Sequence, residues 1–172
     1  ITGAQEFEFD MLIFATGFDA MTGTLLKIDI EGRDGITLAE KWAEGPKTYL
    51  GLCIEGFPNL FTVSGPGSPS VLSNMIITIE QHINWIMDCL DAMSQRSASM
   101  IEATLEAETN WVRSGNEIAA GTLFPTCNSW YLGANVPGKP RIFMPYVGGV
   151  GVYREKCDEV ASNDYEGFLL RA

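Results

Sequence analysis

The chain has 172 residues, of which 46% are apolar and 19% are charged, a balance typical of a folded globular protein and not of a disordered one. Its formal net charge is −11, which argues against a nucleic-acid partner because phosphate binding needs a surplus of Lys and Arg. No run of 18 apolar residues occurs, so the sequence predicts neither a membrane span nor a membrane partner.

The first half of the chain predicts strands separated by irregular segments. Residues 5–9 alternate polar and apolar side chains, as a half-exposed strand does, and residues 10–16 form a continuous apolar run typical of a strand buried on both faces. A short strand is predicted within 25–32, one or two helical turns within 38–46, and a further strand within 57–65.

The second half predicts helices and long loops. A main helix begins near Asn74, and its 4-3-4-3 apolar spacing predicts one stripe packed in the core: Leu72, Ile76, Ile79, Ile83, Ile86, Leu90 and Met93. A second helix is predicted from Ser99 to Ala120, with Ile101, Leu105, Trp111 and Val112 facing inward. A loop rich in Gly, Asn and Pro follows, then a strand within 141–149 and a last helix over 152–163. This order favours a single α/β piece.

The cysteine and histidine positions predict no metal site. Cys53, Cys89, Cys127 and Cys157 lie far apart, and the single histidine, His82, falls inside the main helix. Dispersed thiols favour a reducing, cytoplasmic setting. The sequence opens without Met and without a signal peptide, and it enters a strand pattern almost at once, as the middle of a domain does.

The segment "SGPGSPSVLSNM", residues 64–75, joins a predicted strand to the main helix. Two glycines and two prolines in so short a connection suggest a backbone that approaches another group closely. An alternative is an ordinary loop in which Ser73 caps the helix.

Six stretches carry a family resemblance. They are "DMLIFATGFDA", "KWAEGPKTYLG", "GFPNLFTVSGPGSPSVLSNM", "IEQHINWI", "SWYLGANVPGKPR" and "CDEVASNDYEGF". In this order they resemble the C-terminal portion of Baeyer–Villiger monooxygenases, which are class B flavoprotein monooxygenases, and within them the phenylacetone and steroid monooxygenase branch. The resemblance implies the C-terminal part of a Rossmann-like flavoprotein with two dinucleotide-binding domains, one for FAD and one for NADP.

The sequence departs from the complete family pattern. It contains no Gly-x-Gly-x-x-Gly motif of the kind that binds a dinucleotide, and it lacks the family's Phe-Gly-His-Trp-Pro fingerprint and active-site arginine. We therefore expect residues 1–172 to be a C-terminal portion of the FAD-binding domain. Within it, residues 1–19 would be the strand and turn returning from the NADP domain, and residues 126–141 a mobile loop.

The resemblance also implies an activity. NADPH reduces FAD, and one oxygen atom of O2 is inserted next to a ketone carbonyl to give an ester or lactone. The partners would be a ketone, O2 and the missing N-terminal portion of the same enzyme, and the isolated chain is expected to be inactive and to fold poorly.

Site residues follow from the same resemblance. Asn74 and Met75 would contact FAD through main-chain donors, Trp130 would cover NADP, and Ser70, Val71 and Leu72 would line the substrate pocket. No catalytic residue is expected in this chain. Trp130 could instead anchor its loop to the core. Three further features are expected to be structural or solvated: the turn at residues 15–19, the two basic side chains Lys139 and Arg141, and His82.

Two functions of other classes remain open at the level of sequence. The chain could be an inactive structural remnant without a cofactor. It could also be an acidic interaction module in which the helices within 73–120 bind a partner.

Overall fold

The computed structural model describes residues 5–172. Four helices and two strands carry the regular structure, in the order α1 (Leu38–Lys41), α2 (Met75–Gln95), β1 (Met100–Ala103), α3 (Leu105–Ala120), α4 (Val150–Ser162) and β2 (Phe168–Arg171). Several one-turn 3-10 segments interrupt the connections between them.

The main core lies where α2 meets α4 and the small sheet. Trp85 of α2 is buried, and its indole N–H donates to the carbonyl oxygen of Cys157 in α4 at 2.9 Å. The Trp85 ring also packs against the rings of Tyr165 and Phe168. Burial of large aromatic rings, with the one indole donor satisfied, stabilises the contact between the two helices.

The two strands form an antiparallel pair that ties the C-terminus to the start of α3. Met100 pairs with Arg171, and Ala103 pairs with Phe168. Immediately after β1, the Thr104 hydroxyl accepts from the backbone N–H of Ala107 and caps α3.

A second, smaller core lies beside the first and includes α1. Its buried residues are Leu38, Trp42, Ile54 and Phe57. Two buried carboxylates join it to the main core: Glu102 accepts from the backbone N–H of Gly56 at 2.9 Å, and Glu108 accepts from that of Glu55 at 3.0 Å. Lys41 lies 3.1 Å from Glu108, so the buried charge is paired.

The helices and the mixed class are predicted well, but most predicted strands are wrong. Residues 25–27 form a 3-10 turn, and residues 57–65 and 141–149 are irregular. The predicted helix from Ser99 is also wrong in its first residues, because 100–103 form β1 and Leu105, expected inside, is 61% exposed. The fold class is confirmed as mixed helix and sheet, although the only sheet within residues 5–172 has two strands.

The predicted strands at the N-terminus form no ladder within the described residues. Residues 6–18 run without regular structure, and their apolar side chains face solvent; Met11 is 76% exposed and Ile13 is 80% exposed. A buried strand needs neighbours that supply backbone partners and cover both faces, and residues 5–172 supply neither here. The prediction for residues 1–4 lies outside the described residues.

The predicted core stripe of α2 is also wrong for this chain. Ile76 is 69% exposed and Ile83 is 45% exposed, whereas the buried face consists of Thr78, His82, Trp85, Cys89 and Met93. Of the predicted stripe only Met93 is buried, and Ile86 packs at the edge of the core. No helix within the described residues is long and apolar enough to cross a membrane.

Candidate functional site

The loop of residues 64–75 is held rigidly by the rest of the chain. Four hydrogen bonds fix its first half: Thr48 Oγ1 to Pro66 O (2.7 Å), Gly67 N to Met144 O (2.7 Å), Trp111 Nε1 to Gly67 O (3.0 Å) and Tyr146 N to Ser68 O (2.8 Å). The loop therefore has a defined shape although it contains no regular strand or long helix.

The glycines of this loop are required by contacts within the protein. Gly67 has φ 83°, and a Cβ atom at this position would lie 2.5 Å from Thr48 Oγ1. At Gly65, the other glycine of the loop, a Cβ atom would lie 2.6 Å from Thr62 Oγ1. The close approach suggested by the sequence is thus an approach of backbone to protein, which any L-residue with a Cβ would prevent.

The predicted substrate-pocket residues Ser70, Val71 and Leu72 form one 3-10 turn. Ser70 is buried at φ 45°, a backbone conformation that costs energy outside glycine, and its hydroxyl faces Met21 Sδ at 4.0 Å. The Ser73 hydroxyl donates to the carbonyl of Ser70 at 2.9 Å and closes the turn.

Leu72 lines a cavity. The cavity has a volume of about 200 Å³, and its other walls come from Pro69, Phe124, Tyr146, Val147, Gly149 and Val150. The aromatic wall residues Phe124 and Tyr146 lie far from Leu72 in sequence. No local pattern signals them, so sequence reasoning missed them.

The N-terminus of α2 faces outward beside this turn. Asn74 is the N-cap, and its side-chain oxygen accepts from the backbone N–H groups of Ile76 (3.1 Å) and Ile77 (3.4 Å). The alternative in which Ser73 caps the helix is therefore wrong. Within residues 5–172 the N–H groups of Asn74 and Met75 have no hydrogen-bond acceptor. Such free donors at the positive end of a long helix suit an anionic or carbonyl ligand.

Trp130 lies in a 3-10 turn, residues 130–132, at the protein surface. Its side chain is 36% exposed and packs on the neighbouring Tyr131 ring, with the ring centroids 4.4 Å apart. Its indole N–H makes no hydrogen bond to another described residue. The buried anchor of this turn is Leu132, so an anchoring role for Trp130 is not favoured.

Residues 128–141 close onto the turn at residues 17–22. Lys139 Nζ lies 2.6 Å from a carboxylate oxygen of Asp19 and 2.6 Å from Thr22 Oγ1, and Asn135 donates to the carbonyl of Phe18 at 2.9 Å. The expectation that Lys139 is a solvated surface charge is wrong, because its side chain is 12% exposed and ion-paired. Burial opposes ionisation of Asp19, but hydrogen bonds from Lys139 and Thr22 outweigh it and lower the pKa of the carboxyl group.

The described residues contain no group of three His, Cys, Asp or Glu side chains that could hold a metal ion. The candidate functional features of residues 5–172 are the rigid loop, the free helix N-terminus, the cavity beside Leu72 and the exposed Trp130.

Comparison with known proteins identifies the relatives of the chain. It is 46% identical over 164 residues to "Acetone monooxygenase (methyl acetate-forming)" of Gordonia sp. (strain TY-5), and this match covers 95% of the chain and 31% of the relative. It is 41% identical over 169 residues to a "Baeyer-Villiger monooxygenase" of Pseudooceanicola batsensis, with 98% of the chain and 31% of the relative covered. No family model matches the chain.

Solved structures agree with these relatives. An oxidised steroid monooxygenase bound to NADP is 51% identical, with a TM-score of 0.83 over 90% of the chain and 28% of that structure. The OTEMO complex with FAD and NADP is 37% identical, with a TM-score of 0.89 over 96% of the chain and 30% of that structure. The chain is thus similar, over nearly its whole length, to the C-terminal portion of Baeyer–Villiger monooxygenases, and it spans about 30% of their length.

Proposed function

We propose that the protein supplies the C-terminal portion of an FAD- and NADPH-dependent Baeyer–Villiger monooxygenase, which inserts one oxygen atom of O2 next to a ketone carbonyl and yields an ester or lactone. The observation that carries this proposal is the similarity to such enzymes over 95% of the chain at 46% identity. We assign the whole chain to the FAD-binding domain, residues 1–19 to the strand and turn that return from the NADP domain, and residues 126–141 to a mobile loop.

The residues present fit one edge of a flavin. The free N–H groups of Asn74 and Met75 would donate to a flavin carbonyl, and the positive end of α2 would stabilise negative charge there. Bound flavin would supply the activation of oxygen, and NADPH would supply the reducing equivalents. The chain has no Gly-x-Gly-x-x-Gly motif for either pyrophosphate, so those contacts require the remainder of the enzyme.

The turn at Ser70, Val71 and Leu72 would form a wall of the ketone site. Its hydrogen bonds and the strained φ of Ser70 fix its position immediately before the helix start. Leu72 and the apolar cavity beside it would restrict the size of the ketone. The wall formed by this turn would orient the ketone and exclude water from the site.

Trp130 would lie over NADP. An exposed ring with a free indole donor can stack on a nicotinamide or ribose and donate one hydrogen bond to it. The Lys139–Asp19 pair would hold one end of the loop in place while the part that carries Trp130 moves.

The N-terminal portion of the same enzyme is the proposed macromolecular partner. The aliphatic face of α2 and the apolar residues 9–18 are exposed in this chain, and contact with a further domain would bury both. The four cysteines are free, which is consistent with work in the reducing cytoplasm.

The test joins this chain to the N-terminal portion of the acetone monooxygenase relative, and we call the product the completed enzyme. It should retain FAD through gel filtration, oxidise NADPH in the presence of a ketone and form the ester, while the isolated chain with added FAD should do none of these. A completed enzyme that folds but retains no flavin would favour the alternative of a structural remnant or an interaction module.

A matched pair of variants tests the contact with FAD. Met75→Pro removes the free N–H at the first helical position, where proline is tolerated, and the extended backbone of Asn74 suits a following proline. Met75→Ala keeps the N–H and removes the side chain. We expect weaker flavin binding, by about 1–2 kcal/mol, in Met75→Pro only. Equal flavin affinity in the two variants would contradict a main-chain contact.

A further inference from the structure

His82 forms the centre of a buried hydrogen-bond chain that reaches the candidate site. Its side chain is fully buried on the inner face of α2. The backbone N–H of Ser64 lies 3.0 Å from His82 Nδ1, and His82 Nε2 lies 2.9 Å from the hydroxyl oxygen of Tyr153. The Tyr153 hydroxyl in turn lies 2.7 Å from the carbonyl oxygen of Leu50.

The chemistry of the two ends fixes the direction of every bond in this chain. A backbone N–H can only donate, so His82 Nδ1 is an acceptor and carries no proton. A backbone carbonyl can only accept, so the Tyr153 hydroxyl donates to Leu50 and accepts from His82 Nε2–H. One neutral tautomer of His82 therefore satisfies all three bonds, and neither the other tautomer nor the imidazolium ion does.

The chain of bonds connects both ends of the candidate loop to one helix. The end of the loop runs directly into α2 at Met75, and its beginning, Ser64, is tied to α2 by the His82 ring. Ser64 has φ 55°, an uncommon conformation for serine that needs support from its surroundings. The His82 ring thus joins the start of the loop directly to the helix.

We propose that His82 is a positioning residue: by accepting from the Ser64 N–H it fixes residues 64–72 relative to the N-terminus of α2 and so sets the shape of the wall at Ser70, Val71 and Leu72. The consequence for ketone recognition rests on the proposed function, whereas the consequence for the loop does not.

Two amide variants separate the two ring nitrogens. In His82→Asn the side-chain oxygen takes the place of Nδ1, which keeps the Ser64 bond and loses the Tyr153 bond. In His82→Gln the amide reaches the place of Nε2, which keeps the Tyr153 bond and loses the Ser64 bond. Both replacements are neutral and polar, and both lose the aromatic ring. A difference between the two variants therefore reports which hydrogen bond is kept.

The readouts are amide hydrogen exchange over residues 64–72 in the completed enzyme and the ratio of kcat/KM for a small and a bulky ketone. We expect exchange about tenfold faster and the ketone ratio shifted about fivefold in His82→Gln, with both close to the unsubstituted protein in His82→Asn. Equal exchange and equal ketone ratios in the two variants would overturn the proposal and make His82 a packing residue. Loop exchange that differs as expected in an enzyme that converts no ketone would support the positioning role and refute the proposed function instead.

The unsubstituted protein provides a second measurement if either variant fails to fold. Nitrogen-15 NMR of the His82 ring should show an unprotonated Nδ1 and a protonated Nε2. A protonated Nδ1 would overturn the proposal, because the Ser64 N–H would then have no acceptor on the ring.

Discussion

The two faces of α2 differ in a way that their composition does not predict. The inner face contains Thr78, His82 and Cys89 beside Trp85 and Met93, and all five are buried. The outer face carries an exposed aliphatic stripe, Ile76, Ile79, Ile83, Met87 and Leu90, beside the exposed polar residues Glu80, Asn84, Asp88 and Asp91. The face that packs against α4 thus contains polar side chains, while a continuous apolar stripe stays in water.

The difference teaches that an apolar stripe on a helix does not by itself establish which face the same chain buries. The inner face tolerates polar atoms because each finds a partner, as His82 does with Ser64 and Tyr153. The aliphatic stripe of the outer face offers no hydrogen-bonding side chain of its own and gains stability only when another surface removes it from water. The exposed apolar side chains of residues 9–18 have the same need.

The largest expected effect comes from the inner face. Trp85→Ala should destabilise the completed enzyme by about 3–5 kcal/mol, because it leaves a cavity and removes the hydrogen bond from the indole to the carbonyl of Cys157. Trp130→Ala is the matched control and should cost less than about 1 kcal/mol, since that ring is partly exposed and its N–H is free. Urea unfolding followed by fluorescence measures both.

The Trp130 variant has a second readout that concerns NADP. If the ring covers the nicotinamide cofactor, Trp130→Ala should raise the release of hydrogen peroxide per NADPH consumed, with FAD content unchanged. A destabilised, flavin-poor variant with normal coupling would show that Trp130 anchors the loop instead.

The outer face should behave differently in the two forms of the protein. Ile83→Ala should lower the free energy of unfolding of the completed enzyme by about 2–4 kcal/mol, because the side chain would be covered there. In the isolated chain, where the side chain is exposed, the change should be less than about 0.5 kcal/mol. The comparison uses the urea midpoint and slope of each form. A small cost in both forms would mean that the outer face of α2 remains in water.

Low pH should destabilise the folded protein through His82 on the inner face. Burial lowers the pKa of His82 to about 4, whereas an unfolded histidine titrates near 6.5, so the unfolded state binds the proton more readily. Stability from this residue is fully present above pH 6.5 and declines as the pH falls from 6.5 toward 4, by roughly 3 kcal/mol in total. Tyr153 and Cys157 do not offset the charge, because burial raises the pKa of both and keeps them neutral.

His82→Asn is the control for this prediction because it removes the titrating group and retains the acceptor for Ser64. The free energy of unfolding of the completed enzyme should fall less steeply between pH 6.5 and 4 in the variant than in the unsubstituted protein. Parallel pH curves for the two proteins would contradict a buried neutral His82.

The smallest effect, a change in ketone preference, is expected in the turn just before α2. Leu72→Ala should change the preference between ketones by about 1–2 kcal/mol in kcat/KM, because it enlarges the cavity beside Phe124 and Tyr146. Val71→Ala should change it less, since Val71 is not part of the cavity wall. If Val71→Ala changed the preference more than Leu72→Ala, the ketone would lie on the side of the turn away from the Leu72 cavity.

The similarity to Baeyer–Villiger monooxygenases, the mixed fold class and the positions of the long helices could be predicted from the sequence. Long helices follow from local spacing and caps, such as the 4-3-4-3 pattern and the polar residues around Asn74. The rare stretches around residues 56–75 and 129–141 carry the resemblance, because they are long and occur in the family's order. The hypotheses for Asn74, Met75, Trp130 and the turn at Ser70–Leu72 depend on that resemblance and stay predictions.

The tertiary structure alone decided which residues meet. The segments 25–32, 57–65 and 141–149, which were expected to be strands, contain none. The strands that do form, β1 and β2, pair residues about 70 positions apart in sequence. The tertiary structure paired Lys139 with Asp19 and His82 with Tyr153, since ion pairs and buried hydrogen bonds join residues that no local pattern relates. Periodicity establishes that a helix has an apolar face, but burial depends on what packs against that face, and for α2 the residues of this chain cover only the other side.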